Sequence, residues 1–224
     1  KIRKDFISNV SHELKTPISI IRGYSEGASL MIENGETESA KKYCDVIVGE
    51  TEKMNTLVLQ LLELSMYESG NVTLKDENFD ISALTDDYAD ANSIKTSVKG
   101  ITFTNKIPEN TMVVGDRVKT EMIINNYISN AVSHADGEKR ITVSSNDLGD
   151  RYRISVFNTG KPIADEDIDK IWIAFYRADK SRSRSEGRYG LGLSIVSAIQ
   201  KLYGLDYGVI NHENGVEFWF DIKK

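Results

Sequence analysis

The 224-residue sequence is poor in metal-binding and disulfide-forming residues, with one cysteine, Cys44, and three histidines. A single cysteine excludes a disulfide within the chain and is typical of a reducing compartment. Its position in an apolar helical pattern predicts that it packs in a core. The formal net charge of −6 argues against a nucleic-acid-binding protein.

Long apolar runs are also missing. No stretch of about 18 apolar residues occurs, so the sequence predicts no membrane-spanning segment and no membrane contact. No signal peptide is recognisable. The chain begins at Lys1 inside a helical pattern and without a methionine, so we expect it to be a fragment of a longer protein.

A zinc site at the first histidine is excluded by spacing. His12 and Glu13 begin like the motif H-E-x-x-H, but the fifth residue is Thr16. One imidazole on a helix does not provide the paired ligands that zinc needs, and so few cysteines and histidines exclude a metal–thiolate site.

The first third of the chain shows two helical patterns. Apolar or small residues recur in alternating steps of three and four at Ile7, Val10, Leu14, Pro17, Ile21, Tyr24 and Ala28. A second pattern, over about residues 38–67, has the seam Ala40, Cys44, Ile47, Thr51, Met54, Val58, Leu61 and Ser65. Because the short turn at residues 33–37 contains a glycine, we expect an antiparallel hairpin. One hairpin buries too little surface to be stable, which favours dimerisation into a four-helix bundle.

The first helical pattern places His12 on the face that points away from the seam, with Glu13 beside it and Thr16 one turn further along. An exposed imidazole next to a carboxylate is a candidate nucleophile. The alternative is a surface histidine without a role, which is the commoner meaning of an isolated exposed histidine.

Residues 68–80 are polar, and we predict that they form a linker with a short strand. Residues 81–224 then mix helical and strand patterns. We predict helices over about 81–97, 116–135 and 190–204, a helical piece after Ala164, and strands at 101–104, 111–114, 140–146, 151–157, 206–211 and 216–222. Hairpin-linked strands mixed with helices indicate an α+β fold, with helices covering one face of a mixed sheet. The predicted domains are therefore 1–67 and 81–224, joined by the linker.

Three segments of the second domain are candidates for one nucleotide site. Asn126 and Asn130 lie four residues apart and present both amides on one helix face, where capping or solvent exposure is the alternative. Asn158 and Gly160 follow a strand; the amide suits a purine edge and the glycine permits close approach, while a plain turn is the alternative. Residues 187–193 open a helix whose free N–H groups attract phosphate.

The segment before this helix is rich in cations. Arg177, Lys180, Arg182 and Arg184 lie within nine residues, which indicates a lid that orders over phosphates. A solvated loop is the usual meaning of such a charge run. The helix start lacks the lysine of a Walker A loop and the spacing of a dinucleotide fingerprint.

The order of these motifs resembles the cytoplasmic core of bacterial two-component sensor histidine kinases. Residues 6–18 resemble the H box of that family, 126–131 the N box, 158–163 the G1 box, 175–177 the F box and 187–193 the G2 box. Five motifs in the family's order span nearly the whole chain, which is far more specific than any one of them.

The resemblance implies a dimerisation and phosphoacceptor domain followed by an ATP-binding domain of the Bergerat type. It implies Mg-ATP as cofactor, autophosphorylation of His12, transfer to an aspartate of a response regulator, and a cytoplasmic location in a membrane-anchored sensor. Glu13 would orient His12 or take its proton, and Thr16 would position water for dephosphorylating the regulator.

By the same resemblance, Asn130 would hold Mg²⁺ and Asn126 would contact the phosphates. The remaining residues expected to bind nucleotide are Asn158, Gly160, Arg177, Lys180, Gly187, Gly190, Leu191 and Gly192.

Several positions depart from the family pattern. Asn158 stands where the family has aspartate, Ser133 where a lysine is common, Pro162 where the G1 box has its second glycine, and Arg188 where the G2 run has a glycine. These departures predict weaker ATP binding. They favour the competing interpretation, a dimeric signalling scaffold that binds nucleotide weakly and acts mainly as a phosphatase. The His12–Glu13 pair and Asn130 favour the kinase.

Overall fold

The computed structural model describes residues 2–70, 72–178 and 189–224. The chain begins with two 32-residue helices, α1 (Ile2–Glu33) and α2 (Thr37–Glu68), joined by a turn in which Gly35 has a φ of 76°. A positive φ is readily adopted by glycine, so the turn reverses the chain without strain. The predicted antiparallel hairpin is confirmed. None of the helices in the described part of the chain is long and apolar enough to cross a membrane.

The predicted seam of α2 is only partly right. Ile47, Met54 and Leu61 are half-buried, whereas Thr51, Val58 and Ser65 are exposed. Ala40 is buried as predicted, but Cys44 is exposed, and the other buried residues of α2 are Leu57, Leu64 and Tyr67. The pattern was ambiguous because α2 carries apolar residues on more than one face. Cys44 therefore does not pack in a core, contrary to the expectation from its helical position.

The second unit is a seven-stranded mixed sheet. Its strands are β1 (Glu77–Asp80), β2 (Thr102–Asn105), β3 (Met112–Gly115), β4 (Arg140–Asp147), β5 (Arg151–Thr159), β6 (Tyr207–His212) and β7 (Gly215–Lys223). The order is β1-β3-β7-β5-β4-β2, with β6 also paired to β7. Only β2 and β4 run parallel among these pairs.

Helices cover the apolar face of this sheet. They are α3 (Ile81–Ala91), α4 (Ser93–Val98), α5 (Arg117–His134) and α6 (Gly192–Tyr203). The core lies between α5, α6 and the central strands, with fully buried side chains such as Ile123, Tyr127, Ile154, Ile195 and Phe220. The predicted class, a helical hairpin followed by a mixed sheet with helices, is confirmed.

Local sequence explains where the helices begin and end. Asp116 caps α5 by accepting a hydrogen bond from the Lys119 N–H at 3.1 Å. The same carboxylate accepts from the Lys75 N–H at 3.1 Å, so it also fixes the segment that enters the sheet domain. At the other end, Gly204 stops α6 with a φ of 63°.

Two element predictions need correction. The helix predicted over 81–97 is broken at Asn92, the residue between α3 and α4, whose side-chain Nδ2 donates to the Tyr88 carbonyl. The helical piece after Ala164 consists of two short 3₁₀ turns, Asp165–Asp167 and Lys170–Trp172. Strand β1 lies within residues 68–80, where we predicted a linker with a short strand, so that strand is confirmed. The domain limits stay a prediction.

Candidate active site

The hairpin presents the predicted phosphoacceptor on its outer surface. His12 and Thr16 are both exposed on α1, as the helical pattern predicts, whereas Glu13 is half-buried. At about 100° per residue, Glu13 lies close to the face of Phe6, and His12 points about 120° away from that face. The imidazole is therefore accessible, and the neighbouring carboxylate faces the sheet domain.

The first of the two asparagines of α5, Asn126, faces the start of α6. Asn126 donates from Nδ2 to the Met122 carbonyl at 2.8 Å, which turns its Oδ1 outwards from its own helix. A Cβ on Gly192 would overlap this Oδ1, so only glycine permits the observed approach of α6 to Asn126. Asn130 is half-buried one turn further along α5. The structure thus brings the N box against the G2 box.

The G1 residues lie at the end of β5. Asn158 is 2% exposed and donates from Nδ2 to the Thr159 carbonyl at 3.1 Å. Gly160 has a φ of 150°, and a Cβ there would lie 2.6 Å from the carbonyl oxygen of His134, just after the N box. This glycine therefore lets the G1 turn pack against the end of α5.

The F box and the G2 box are joined by their backbones. The Phe175 N–H donates to the Gly190 carbonyl at 2.9 Å, and both residues have positive φ, 68° and 72°. A Cβ on Gly190 would lie 2.8 Å from the Tyr176 carbonyl oxygen. Leu191, 1% exposed, then leads into α6, whose first N–H groups have no partner within the helix.

Arg177 lies beside this junction, half-buried, and its charge reaches Tyr189. Burial raises the pKa of the Tyr189 hydroxyl, as do the carboxylates of Glu13 and Glu50, while Arg177 lowers it. Side chains from α1, α2 and both ends of the predicted lid therefore lie within electrostatic reach of one another. Lys180 and Gly187, with Arg182, Arg184 and Arg188, lie outside the described residues.

One departure from the family pattern has a visible consequence. Ser133, which stands where the family commonly has a lysine, donates from its hydroxyl to the Ser129 carbonyl of its own helix at 3.2 Å. This serine adds no positive charge at the end of the N box.

The arrangement fits a magnesium nucleotide better than a metal held by protein alone. Within the described part of the chain, no group of three or more His, Cys, Asp and Glu residues could hold a metal ion. The site instead offers amide oxygens on α5, glycines that allow close backbone approach, and a helix start that favours anions. Mg²⁺ commonly binds through few protein oxygens together with substrate phosphates.

Comparison with known proteins agrees with this geometry. Residues 115–224 match the family "Histidine kinase-, DNA gyrase B-, and HSP90-like ATPase", and residues 2–70 match the "His Kinase A (phospho-acceptor) domain". The catalytic domain of histidine kinase ThkA is 30% identical, with a TM-score of 0.59, over 67% of this chain and 96% of that one.

Longer relatives share both units. Sensor protein VanSB of Enterococcus faecalis is 31% identical over 218 residues, 97% of this chain and 48% of that protein. ThkA in complex with response regulator protein TrrA is 27% identical with a TM-score of 0.77, over all of this chain and 64% of that one. Full-length ShkA with AMPPNP is 25% identical with a TM-score of 0.72, over 98% and 46%.

These matches define a phosphoacceptor hairpin followed by an ATPase-type domain. The chain belongs to the sensor histidine kinases of two-component systems. It spans about half the length of the curated relatives it matches.

The sequence did not predict two contacts between the hairpin and the sheet domain. Tyr189 donates from its hydroxyl to the Lys53 carbonyl of α2 at 2.9 Å, and Phe6 packs edge-on against Phe175 with ring centroids 5.5 Å apart. A tyrosine inside a glycine run was a usable signal, because a bulky residue there needs a surface to cover it. The partner carbonyl of Lys53 had no sequence signal.

Proposed function

We propose that this chain is the catalytic core of a bacterial sensor histidine kinase, which transfers the γ-phosphoryl group of ATP to His12 and then to an aspartate of a response regulator. The observation that carries the proposal is the exposed His12, with its adjacent carboxylate, on a hairpin that packs against the Asn126–Gly192 junction. ShkA, a relative, is described in complex with AMPPNP, which supports nucleotide binding by this chain.

The chemistry requires placement and charge neutralisation more than covalent help from the protein. A nitrogen of the His12 imidazole attacks the γ-phosphorus, the bond to the β–γ bridging oxygen breaks, and ADP leaves with the electron pair. Glu13 is adjacent and accepts the proton that the imidazole loses. The N–H groups at the start of α6 and the side chain of Arg177 would bind the phosphates.

Asn130 would hold Mg²⁺ through its side-chain oxygen, and the ion would neutralise phosphate charge when bound. Asn126 would contact the phosphates from the adjacent turn of α5. Asn158 and Gly160, at the other end of the helix, would receive the adenine. The amide of Asn158 accepts a hydrogen bond without the charge of an aspartate, so we expect moderate affinity.

The partner of the second transfer is a response regulator. ThkA is described in complex with the response regulator protein TrrA. The exposed face of α1 around His12 and Thr16 is the docking surface that we propose for this chain. We further propose that the chain acts as a homodimer, within a membrane-anchored sensor whose catalytic part faces the cytoplasm.

The decisive test is labelling with γ-labelled ATP. Wild-type protein should acquire phosphate that is labile in acid and stable in alkali, because phosphorylation of an imidazole gives a phosphoramidate. His12→Gln should abolish the label while AMPPNP still binds. The matched control is His212→Gln, since His212 lies on β6 and bonds Glu217 at 2.9 Å; it should label normally. Label that persists in His12→Gln would refute the proposal.

A second candidate function is a dimeric scaffold that binds nucleotide weakly and acts mainly as a phosphatase. The observation that favours it is the Ser133 hydroxyl, which bonds its own helix and adds no cation toward the phosphates. The two functions separate in one measurement. A scaffold would show no phosphate on His12 at millimolar ATP while still dephosphorylating a regulator.

A further inference from the structure

A side chain of the G2 box forms a hydrogen bond between the sheet domain and α2. Tyr189 is 8% exposed, and its hydroxyl donates to the backbone carbonyl of Lys53 at 2.9 Å. A carbonyl oxygen has two lone pairs, so the Lys53 carbonyl accepts this bond in addition to its helical one. Leu57, one turn further along α2, is fully buried beside it.

A second aromatic contact fastens the same backbone junction to α1. Phe6 meets Phe175 edge-on, with ring centroids 5.5 Å apart and planes 61° apart. Because the Phe175 N–H is bonded to the Gly190 carbonyl, Phe175 lies at the same backbone junction as Tyr189, the residue before Gly190. We call Tyr189, Lys53, Phe6 and Phe175 the upper contact.

The opposite end of the interface lies where the chain passes from α2 toward the sheet. Tyr67 is 3% exposed, its hydroxyl lies 3.4 Å from the Met122 sulfur, and the Lys119 ammonium lies 5.0 Å from its ring centroid. Lys53 and Tyr67 are separated by about 21 Å along the helix, at 1.5 Å per residue. The lower end stays close through chain connectivity, whereas the upper contact depends on its side chains.

The upper contact lies on the face of α1 that carries Glu13, and His12 lies on a different face. Phe6 and Glu13 are seven residues apart and share one face of α1. The Glu13 carboxylate acts on the Tyr189 hydroxyl, since it contributes to the raised pKa of that tyrosine. His12 is exposed and points about 100° further round the helix. In this docked arrangement the start of α6 therefore does not face the imidazole of its own chain.

From these contacts we infer that Tyr189 is a positioning residue, whose bond to Lys53 holds the sheet domain in a docked arrangement that must open before His12 is phosphorylated. The inference rests on the proposed kinase function. The upper contact lies about 21 Å from the lower one, so breaking it frees the nucleotide-binding end to swing while the chain stays connected. Tyr189 thereby lowers the rate of the first phosphoryl transfer without contacting nucleotide.

The test is Tyr189→Phe, which removes one hydroxyl and keeps the ring in its pocket. We expect His12 to label about fivefold faster, the population shift that loss of one ordinary hydrogen bond gives. AMPPNP affinity, measured by calorimetry, should stay unchanged. Tyr207→Phe is the matched control, because the Tyr207 hydroxyl bonds Ser197 within the sheet domain at 2.5 Å; its labelling rate should equal that of wild type.

Domain position is measured independently of activity. Spin labels at the exposed Cys44 and at Glu213→Cys report the distance between hairpin and sheet domain, in protein diluted with unlabelled chain. Tyr189→Phe should broaden this distance distribution. An unchanged distribution, or an unchanged rate in a protein whose wild type labels normally, would overturn the inference. Wild type that acquires no label would instead refute the proposed function, and the distances would still decide on the contact.

Discussion

Two asparagines of the candidate site are each oriented by one hydrogen bond to a backbone carbonyl. The Nδ2 of Asn126 is held by the Met122 carbonyl, which leaves its Oδ1 facing Gly192. The amide of Asn158 is oriented in the same way by the Thr159 carbonyl. On α1, Glu13 is half-buried and His12 is exposed, although they are adjacent in sequence. One residue along a helix is enough to separate a carboxylate that faces the domain interface from an imidazole that faces solvent.

Thr16 provides a prediction at this scale. It is exposed one turn after His12, so its hydroxyl can hold a water next to the aspartyl phosphate of a docked regulator. Thr16→Ala should slow dephosphorylation of the regulator by about a hundredfold, the lower end of the effect typical of positioned proton-transfer groups. Autophosphorylation should change by less than about twofold, since Thr16 is not needed in that step.

The measurement uses purified, prephosphorylated regulator and follows both rates on the same variant. Thr56→Ala is the control, because Thr56 is exposed on α2 and its hydroxyl bonds the Glu52 carbonyl of its own helix. Equal losses of both rates in Thr16→Ala would mean that Thr16 only supports the helix next to Pro17.

At the scale of elements, the approach of α6 to α5 determines the shape of the nucleotide site. Helix α6 begins at Gly192, where the absence of a side chain lets its first turn contact Asn126. The backbone junction between Phe175 and Gly190 fixes the residues that precede it. Glycine is favoured at position 190 because φ there is 72° and a Cβ would lie 2.8 Å from the Tyr176 carbonyl oxygen.

Gly192→Ala tests this packing. The added methyl group overlaps Asn126 Oδ1, so either the amide or the start of α6 must shift. Overpacking of this kind costs roughly 1–3 kcal/mol, so we expect AMPPNP to bind about tenfold more weakly in calorimetry. Gly23→Ala is the control, because a Cβ there meets nothing within 4 Å and alanine favours a helix interior. Wild-type affinity in Gly192→Ala would show that this junction does not bind the nucleotide.

At the scale of the whole molecule, the hairpin has more apolar faces than one chain covers. One face of α2 carries the buried Leu57 and Leu64. Exposed apolar side chains lie elsewhere on both helices, at Ile7, Ile18, Ile32, Val48, Val58, Leu59, Leu62 and Met66. At about 100° per residue, Ile7, Ile18 and Ile32 fall on one stripe of α1. A second hairpin is the occupant that completes a four-helix bundle.

Leu62→Glu tests the dimer. Leu62 is 55% exposed in the single chain, so a charge there leaves the fold of each chain intact but opposes burial against a second copy. We expect a dimer dissociation constant of about 1 μM for wild type. Light scattering at tens of micromolar should therefore find dimers for wild type and monomers for the variant. Ile94→Glu, at an 81% exposed position on α4, should stay dimeric. Wild type that is monomeric at this concentration would contradict the prediction.

Local sequence patterns were enough to predict most helices and strands and the positions of the motifs. Steps of three and four predicted both long helices, Asp116 and Gly204 marked helix ends, and the strand patterns were confirmed within one or two residues. These features depend on local periodicity, capping and turn chemistry, which can be recognised from residues close together in the sequence. The order of five motifs then indicated the family.

The contacts between the hairpin and the sheet domain could not be predicted from local sequence patterns. The predicted seam of α2 placed Cys44 inside, yet it is exposed, because α2 divides its apolar residues among several partners. Tyr189 and Lys53 are 136 residues apart, and no local pattern links them. Which of several apolar faces is buried, and which backbone carbonyl a hydroxyl reaches, depends on how the hairpin and the sheet domain dock. These contacts result from the packing of the hairpin and the sheet domain together, so the sequence of no single segment predicts them.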